Sequence, residues 1–349
     1  MHSEKHKPAY GDRAFCLLSS LYRHVLWHTF SPIRAILTVL FLSGCCPDVL
    51  PGKEMAPINK SSSFPFMTSL STGSTLDIFT FEDDRLRRLD SYQRIERFTG
   101  NTAYVESTGG PKIFFFCLSS HRGVYEWADM NSYSSLSKIQ FELENERREC
   151  LTRTGECRVS AGETGSEVIL KPLVASICLN KLSCDFSGTP YAGSHMTEVR
   201  AYLTNINATY GLTDSGINNP ERIVNLGMLN SYDLKGFMEK DMIFSEIAPS
   251  LDASALSLDL CFLCYPNPGN SNGPGAPCTR LVIEGKIDGL TYYWPISIKD
   301  IERGCRYIYD IHIRRKGTSD PDIPIELDKC EIQFEIKPWK EKEEYGVCF

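Results

Sequence analysis

Among the side chains able to do covalent chemistry, Cys45 has the most specific surroundings. It ends the run Arg34-Ala35-Ile36-Leu37-Thr38-Val39-Leu40-Phe41-Leu42-Ser43-Gly44-Cys45, in which one basic residue leads a short apolar stretch and small residues precede a thiol. This is the n-region, h-region and small-residue cleavage layout of an export signal. Leu42-Ser43-Gly44-Cys45 is similar to a bacterial lipobox, whose cysteine is acylated and becomes the new N-terminus. A thiolate is needed to attack the lipid donor, and small neighbours let the peptidase reach the bond. Several acyl chains make a stable membrane anchor, because each buried methylene contributes about 0.8 kcal/mol. Cys46 competes for this role with poorer flanks, and a short buried helix containing both cysteines is the alternative.

The residues that follow favour export. Pro47, Pro51, Pro57, Pro65 and the run Lys60-Ser61-Ser62-Ser63 read as an extended tether over residues 45–73 rather than a packed element. Residues 1–44 are read as the signal segment. Within it, residues 1–33 fit no signal plan and carry four of the seven histidines, which points to an upstream start-site assignment or a pre-signal arm. The signal segment has five basic and two acidic side chains, so its removal takes the net charge from −7 to −10. An acidic chain lacks the basic surface that nucleic acid requires, so no nucleic-acid partner is expected.

The remaining thiols do not form a metal site. Of fourteen cysteines only Cys261 and Cys264 make a CxxC pair, inside the apolar run Leu258–Tyr265, and His121, His195 and His312 are far apart. No metal and no cofactor are expected. A disulfide suits an exported protein, but spacing alone does not pair the thiols. No nucleophile elbow, phosphate-cradling glycine loop or paired-carboxylate site stands out, so an enzyme is not expected. Glu82-Asp83-Asp84 beside Arg85 reads as a solvated turn.

The elements that would position these groups are mostly strands. At 42% hydrophobic and 23% charged over 349 residues, the chain is globular and long enough for two domains. Alternation is clearest from Leu281 to Ile298, where Leu281, Ile283 and Ile287 precede the turn Asp288-Gly289, and Leu290, Tyr292, Trp294, Ile296 and Ile298 follow. Tyr307, Tyr309, Ile311 and Ile313 alternate with polar residues, as do Ile332, Phe334 and Ile336. Leu76–Phe81 and Ile113–Leu118 read as core strands, and Glu167–Leu170 as a strand after a glycine turn. A helix is predicted over Ser132–Arg147 with Asn131 as cap, and a weaker one over Ser231–Glu239. The expectation is a mainly β chain of two sandwiches, 74–170 and 171–349.

Several segments together resemble the fimbrillins, the type V pilins of Gram-negative anaerobes. They are Ile301–Ile311 (IERGCRYIYDI), Gly317–Ile325 (GTSDPDIPI), a Trp339-containing terminal strand, Tyr292-Tyr293-Trp294-Pro295-Ile296, and Val199–Asn207. The likeness covers about residues 74 to 349. It implies two transthyretin-like antiparallel β-sandwich domains with one or two short helices. It also implies a lipid-anchored cell-surface protein of the outer membrane, supporting adhesion with other fimbrial subunits and a host-surface ligand as partners.

In that family a protease cuts after an arginine, removes the first strand, and a neighbour's C-terminal strand fills the groove. The resemblance makes Ile332, Phe334 and Ile336 candidate donor residues. An internal core strand is the alternative reading of them, and Tyr345–Phe349 is an alternative donor. One departure matters: no arginine lies between Cys46 and Arg85. The possible cleavage sites Arg85 and Arg88 follow the Leu76 strand, so a cut there would remove that strand as well. The expectation is an anchor-like or accessory subunit lipidated at Cys45. A cleaved stalk subunit and a monomeric surface lipoprotein that binds glycan or host protein, using Tyr125 and Trp127 as an aromatic platform, are the rivals.

Overall fold

The computed structural model describes residues 60–65, 75–96, 102–119, 127, 129–163, 167–213, 223–224, 241–269, 277–323 and 330–338. Strand β1 (Lys60–Pro65) falls within the segment expected as an extended tether, and it is paired antiparallel with β4 (Thr102–Ser107). Its ladder is made by backbone groups, which is why a serine-rich run can form it. Strands β2 (Thr75–Glu82) and β3 (Leu89–Ile95) form a hairpin. With β5 (Lys112–Ser119), β7 (Arg153–Val159) and β8 (Lys171–Pro172) they make a five-stranded sheet ordered β3-β2-β5-β7-β8.

The two runs read as core strands are β2 and β5 at the centre of this sheet. They lack alternation because both faces of the sheet are covered. On one face Leu76, Ile78, Phe114, Phe116 and Leu118 meet Ala103 and Val105 of β4 with Val168 and Leu170. On the other face Phe79, Phe81, Ile113 and Phe115 join the larger core, which includes Tyr133, Leu136, Phe141 and Leu143. After the glycine turn Val168 makes a single bridge and the ladder falls at Lys171–Pro172, later than expected, although Val168 and Leu170 are buried.

The helix predicted over Ser132–Arg147 is a single turn, α1 (Tyr133–Leu136). Its cap is Ser132, whose Oγ accepts from the Ser135 amide, while Asn131 accepts from the Ser135 hydroxyl. The chain then enters β6 (Gln140–Glu142) and two 3-10 turns, Leu143–Asn145 and Arg148–Cys150. An isolated helix of that length is marginal. Here pairing of β6 with β12 (Thr209–Gly211), which buries Phe141, takes precedence over local periodicity. The helix expected over Ser231–Glu239 lies outside the described residues.

Two four-stranded sheets follow. One, ordered β14-β10-β16-β17, contains β10 (Met196–Thr204), β14 (Phe244–Leu251), β16 (Thr279–Ile287) and β17 (Leu290–Ile298). The other, ordered β15-β9-β18-β19, contains β9 (Ala175–Cys184), β15 (Leu256–Cys264), β18 (Cys305–Ile313) and β19 (Cys330–Pro338). A short pair joins β11 (Ile206–Asn207) to β13 (Ile223–Val224). All ladders are antiparallel except β9 with β18, which run parallel. Ile177, Leu179, Phe262, Tyr309 and Ile311 share one core with Val199, Ala201, Leu281, Ile283 and Trp294, giving a β-sandwich. The β16–β17 turn is as read from sequence: Asp288 and Gly289 have φ of 52° and 79°, as a type I′ hairpin requires.

The segments singled out around Ile301 and Gly317 work as joints. The Arg303 guanidinium donates to the carbonyls of Pro172 and Lys171 at 3.1 and 2.7 Å, and to the Thr154 hydroxyl at 2.8 Å. It therefore ties the loop before β18 to the last two strands of the five-stranded sheet. Thr318 exchanges two backbone hydrogen bonds with Tyr293, at 2.9 and 2.8 Å, and the Trp294 indole donates to the Arg315 carbonyl at 3.0 Å. This strap requires glycine at 317, where a Cβ would collide with the Tyr293 carbonyl group. Cys178 and Cys261 face each other across β9 and β15 and form a disulfide, a pairing that spacing alone left open.

Gly317→Ala should therefore cost about 2–3 kcal/mol in urea denaturation. Gly109→Ala, at an open position without a left-handed φ, should stay within about 0.5 kcal/mol of the parent. A second expectation comes from Glu146, fully buried, whose Oε2 accepts from the Thr152 amide at 2.9 Å and Oε1 from the Tyr265 hydroxyl at 3.1 Å. Burial pushes its pKa up from 4.5 to about 6 despite those bonds. The folded state then holds the proton more tightly than the unfolded chain. Stability falls as pH rises from the unfolded pKa to the folded one, and is level above it. On going from about pH 7.5 to about pH 4, the parent should gain about 2 kcal/mol relative to Glu146→Gln, read from urea midpoints.

Candidate functional site

The last described strand, β19, reads Cys330-Glu331-Ile332-Gln333-Phe334-Glu335-Ile336-Lys337-Pro338 and lies at the edge of its sheet. Among the described residues it pairs with β18 alone, placing Ile332, Phe334 and Ile336 opposite Ile311, Tyr309 and Tyr307. Those three partners are buried on the inner face of the sandwich. Their apolar neighbours on β19 prolong that face, but its cover ends there. Ile332 packs partly buried against the core, whereas Phe334 is 63% and Ile336 53% exposed. The Phe334 ring stacks on Tyr309 with centroids 5.9 Å apart.

Among the described residues, the outer edge of β19 has no strand beside it. Unpaired backbone donors and acceptors next to a half-exposed apolar row are what a further strand needs for pairing. Charged Glu335 and Lys337, paired with each other at 3.1 Å, occupy the alternate positions. The alternative candidate Tyr345–Phe349 lies outside the described residues, as does Cys45.

Arg85 and Arg88 lie on the turn between β2 and β3, and both are exposed. Side-chain exposure is not matched by a free backbone. Asp84 Oδ1 accepts from the amides of Leu86 and Arg87 at 3.0 and 2.7 Å, and Arg87 takes a left-handed φ of 45°. Arg88 bridges Ser132, the Glu82 amide donates to the Arg88 carbonyl, and the Tyr133 amide donates to the Arg87 carbonyl. The Arg87 guanidinium also sits over the Tyr133 ring, 5.3 Å from its centroid. The structure does not bring Arg85 and Arg88 together with the β19 residues; they belong to different sheets.

Trp127, one of the two candidate platform aromatics, packs half-buried against the core edge-on to Phe79, with centroids 5.0 Å apart. Tyr125 lies outside the described residues. A cavity of about 560 Å³ is lined by Arg87, Tyr133, Glu156, Arg158, Lys171 and Arg303 among others. Of its two aromatics, Phe115 is buried in the larger core and Tyr133 is engaged, its hydroxyl donating to Glu156 at 2.5 Å. Cys264 is buried, which pushes its thiol up to about 12, and Cys261 is in the disulfide. No group of three metal-ligating side chains converges among the described residues. Sequence reasoning missed β1, because neither composition nor alternation marks it. It also missed the role of Arg303, which rests on contacts more than a hundred residues away.

The architecture is similar to that of several solved structures. A protein assigned to cell adhesion from Bacteroides eggerthii matches with a TM-score of 0.62 at 16% identity, over 82% of this chain and 98% of that one. Another from Parabacteroides distasonis gives 0.58 at 12% identity, over 80% and 96%. A fimbrilin from Porphyromonas gingivalis gives 0.57 at 12% identity, over 80% and 97%. The mainly β, sandwich fold expected from the fimbrillin resemblance is thus the fold of the chain. No protein-family profile matches the sequence, and no curated protein matches it significantly.

Limited digestion with an arginine-specific protease tests the turn. If a nick forms after Arg85 or Arg88, the two fragments should co-elute in size-exclusion chromatography and separate only in denaturant.

Proposed function

We propose that the protein is a cell-surface fimbrial subunit, lipid-anchored through Cys45 at the outer membrane, that joins its neighbour by donating a C-terminal strand. The observation that carries this reading is the open edge of β19 with its half-exposed apolar row. Besides one ladder, β19 is held by the stack of Phe334 on Tyr309 and the partial burial of Ile332, which suits release into another subunit. Main-chain hydrogen bonds would supply affinity, and alternate side chains would fill pockets. Phe334 and Ile336 are each more than half exposed, so completing their burial contributes about 2 kcal/mol together.

The position we assign is anchor-like or accessory. Leu76, Ile78, Phe79 and Phe81 of β2 are all fully buried. Extracting them after a cut at Arg85 or Arg88 would forfeit about 8 kcal/mol of burial, comparable with the whole stability of a domain. An arginine-directed cut that freed β1 alone has no site, since no arginine lies between Cys46 and Arg85. The subunit therefore keeps β1 on β4 and keeps its lipid. Adhesion through a host-surface ligand follows from the same reading, with other fimbrial subunits as its partners.

The test is expression of the protein and its Phe334→Asp/Ile336→Asp variant with the neighbouring subunits on cells. The parent should give an SDS-resistant oligomer ladder and an acylated N-terminus at Cys45 by mass spectrometry. The variant should give folded monomer without the ladder. An unlipidated N-terminus after an arginine within 85–97 would assign the cleaved stalk role instead. A ladder unaffected by the double substitution would remove β19 as donor.

A further inference from the structure

We propose that Lys112 and Asp90 are joined by an intramolecular isopeptide bond whose formation is assisted by Glu82. The three side chains come from adjacent strands. Glu82 ends β2 and is the cross-strand partner of Lys112, which opens β5. Asp90 lies on β3 where the register slips, Phe81 pairing with Leu89 and Thr80 with Ser91. A bulge at that point leaves Asp90 without a partner in the ladder, and bulges re-aim side chains.

The geometry is that of a nucleophile, an electrophile and a proton carrier. Lys112 Nζ lies 2.7 Å from Glu82 Oε1, 3.4 Å from Asp90 Oδ2 and 2.8 Å from Thr108 Oγ1. The Lys112 side chain is 2% exposed and that of Asp90 7%, while Glu82 is 34% exposed. Asp90 is also polarised from its far side. Its Oδ2 accepts from the Thr108 amide at 3.0 Å and its Oδ1 from the Thr108 hydroxyl at 2.6 Å.

The step begins with one proton passing from the Lys112 ammonium to Asp90 Oδ2, 3.4 Å away, which leaves an amine with a lone pair and a carboxylic acid. The carboxyl carbon to be attacked is one bond beyond that Oδ2 contact. The Lys112 lone pair attacks Cγ of Asp90; charge developing on Oδ1 is met by the Thr108 hydroxyl, and Oδ2, on the Lys112 side, is the oxygen that departs. Glu82 accepts a proton from the attacking nitrogen and returns it to the departing hydroxyl. One C–N bond forms, one C–O bond breaks and one water leaves past the partly exposed Glu82. No oxidant or reductant is involved.

The bond would close a covalent ring from β3 to β5 that contains β4. That strand covers the smaller core and pairs with β1, so the ring fixes the cover of the five-stranded sheet irrespective of how subunits assemble. This inference is independent of strand donation.

Mass spectrometry of the full chain, reduced and denatured, decides it. The expected result is a mass one water below that of the sequence, with a branched tryptic species linking the Asp90 and Lys112 peptides and no cleavage after Lys112. Lys112→Met and Glu82→Gln should each restore the hydrated mass, with circular dichroism confirming the β fold. A parent at its full hydrated mass, or water loss located elsewhere with trypsin cutting after Lys112, would overturn the bond. Linkage persisting in Glu82→Gln would overturn the role given to Glu82.

Discussion

The structure depends on burial of one phenylalanine-rich sheet from both sides. Strands β2 and β5 carry Phe79, Phe81, Phe114, Phe115 and Phe116, which point alternately into two separate cores. The smaller core is closed by β4, and the larger is shared with the two sheets formed by residues after 172. A sheet covered in this way cannot lose a central strand without exposing both cores. The same constraint explains why the arginine-bearing turn is pinned and why β1, outside the sheet and paired only to β4, is the peripheral strand at this end.

At the other end the constraint is relaxed. β19 continues the inner face of a sandwich beyond the reach of its cover, so its apolar side chains are only partly satisfied within the chain. Among the described residues, a sheet covered on both faces thus contrasts with an edge strand that has no strand along its outer rim. Polar contacts reinforce the covered portion. Arg303 joins the two halves through backbone carbonyls, and Asp77, buried, accepts from Tyr92 and Arg94 at 2.6 and 2.7 Å. Burial and the Asp77 contact together hold the Tyr92 phenol well above its usual range.

Local pattern revealed those elements whose cause is local. The Asp288-Gly289 hairpin follows from two residues that tolerate positive φ, and β18 from simple alternation. The helix over Ser132–Arg147 failed because Leu136, Ile139 and Leu143 keep helical spacing while Phe141 is drawn into a ladder with Tyr210, a partner nearly seventy residues away. The β19 residues were legible as an apolar alternating row, but their half-exposure was not. Whether such a row is core or surface depends on how far the opposing sheet extends. Likewise the Cys178–Cys261 pairing required the β9–β15 register, and the Lys112 cluster required three strands in order.

The disulfide has a mechanical consequence. A load drawn along the tail reaches β18 first and then β9, its parallel neighbour, and β9 is stapled covalently to β15. Tension can shear the β19–β18 and β18–β9 ladders in turn, whereas β9 and β15 stay joined by the Cys178–Cys261 bond. In this sheet a pull that strips hydrogen-bonded strands would stop at the covalent β9–β15 pair.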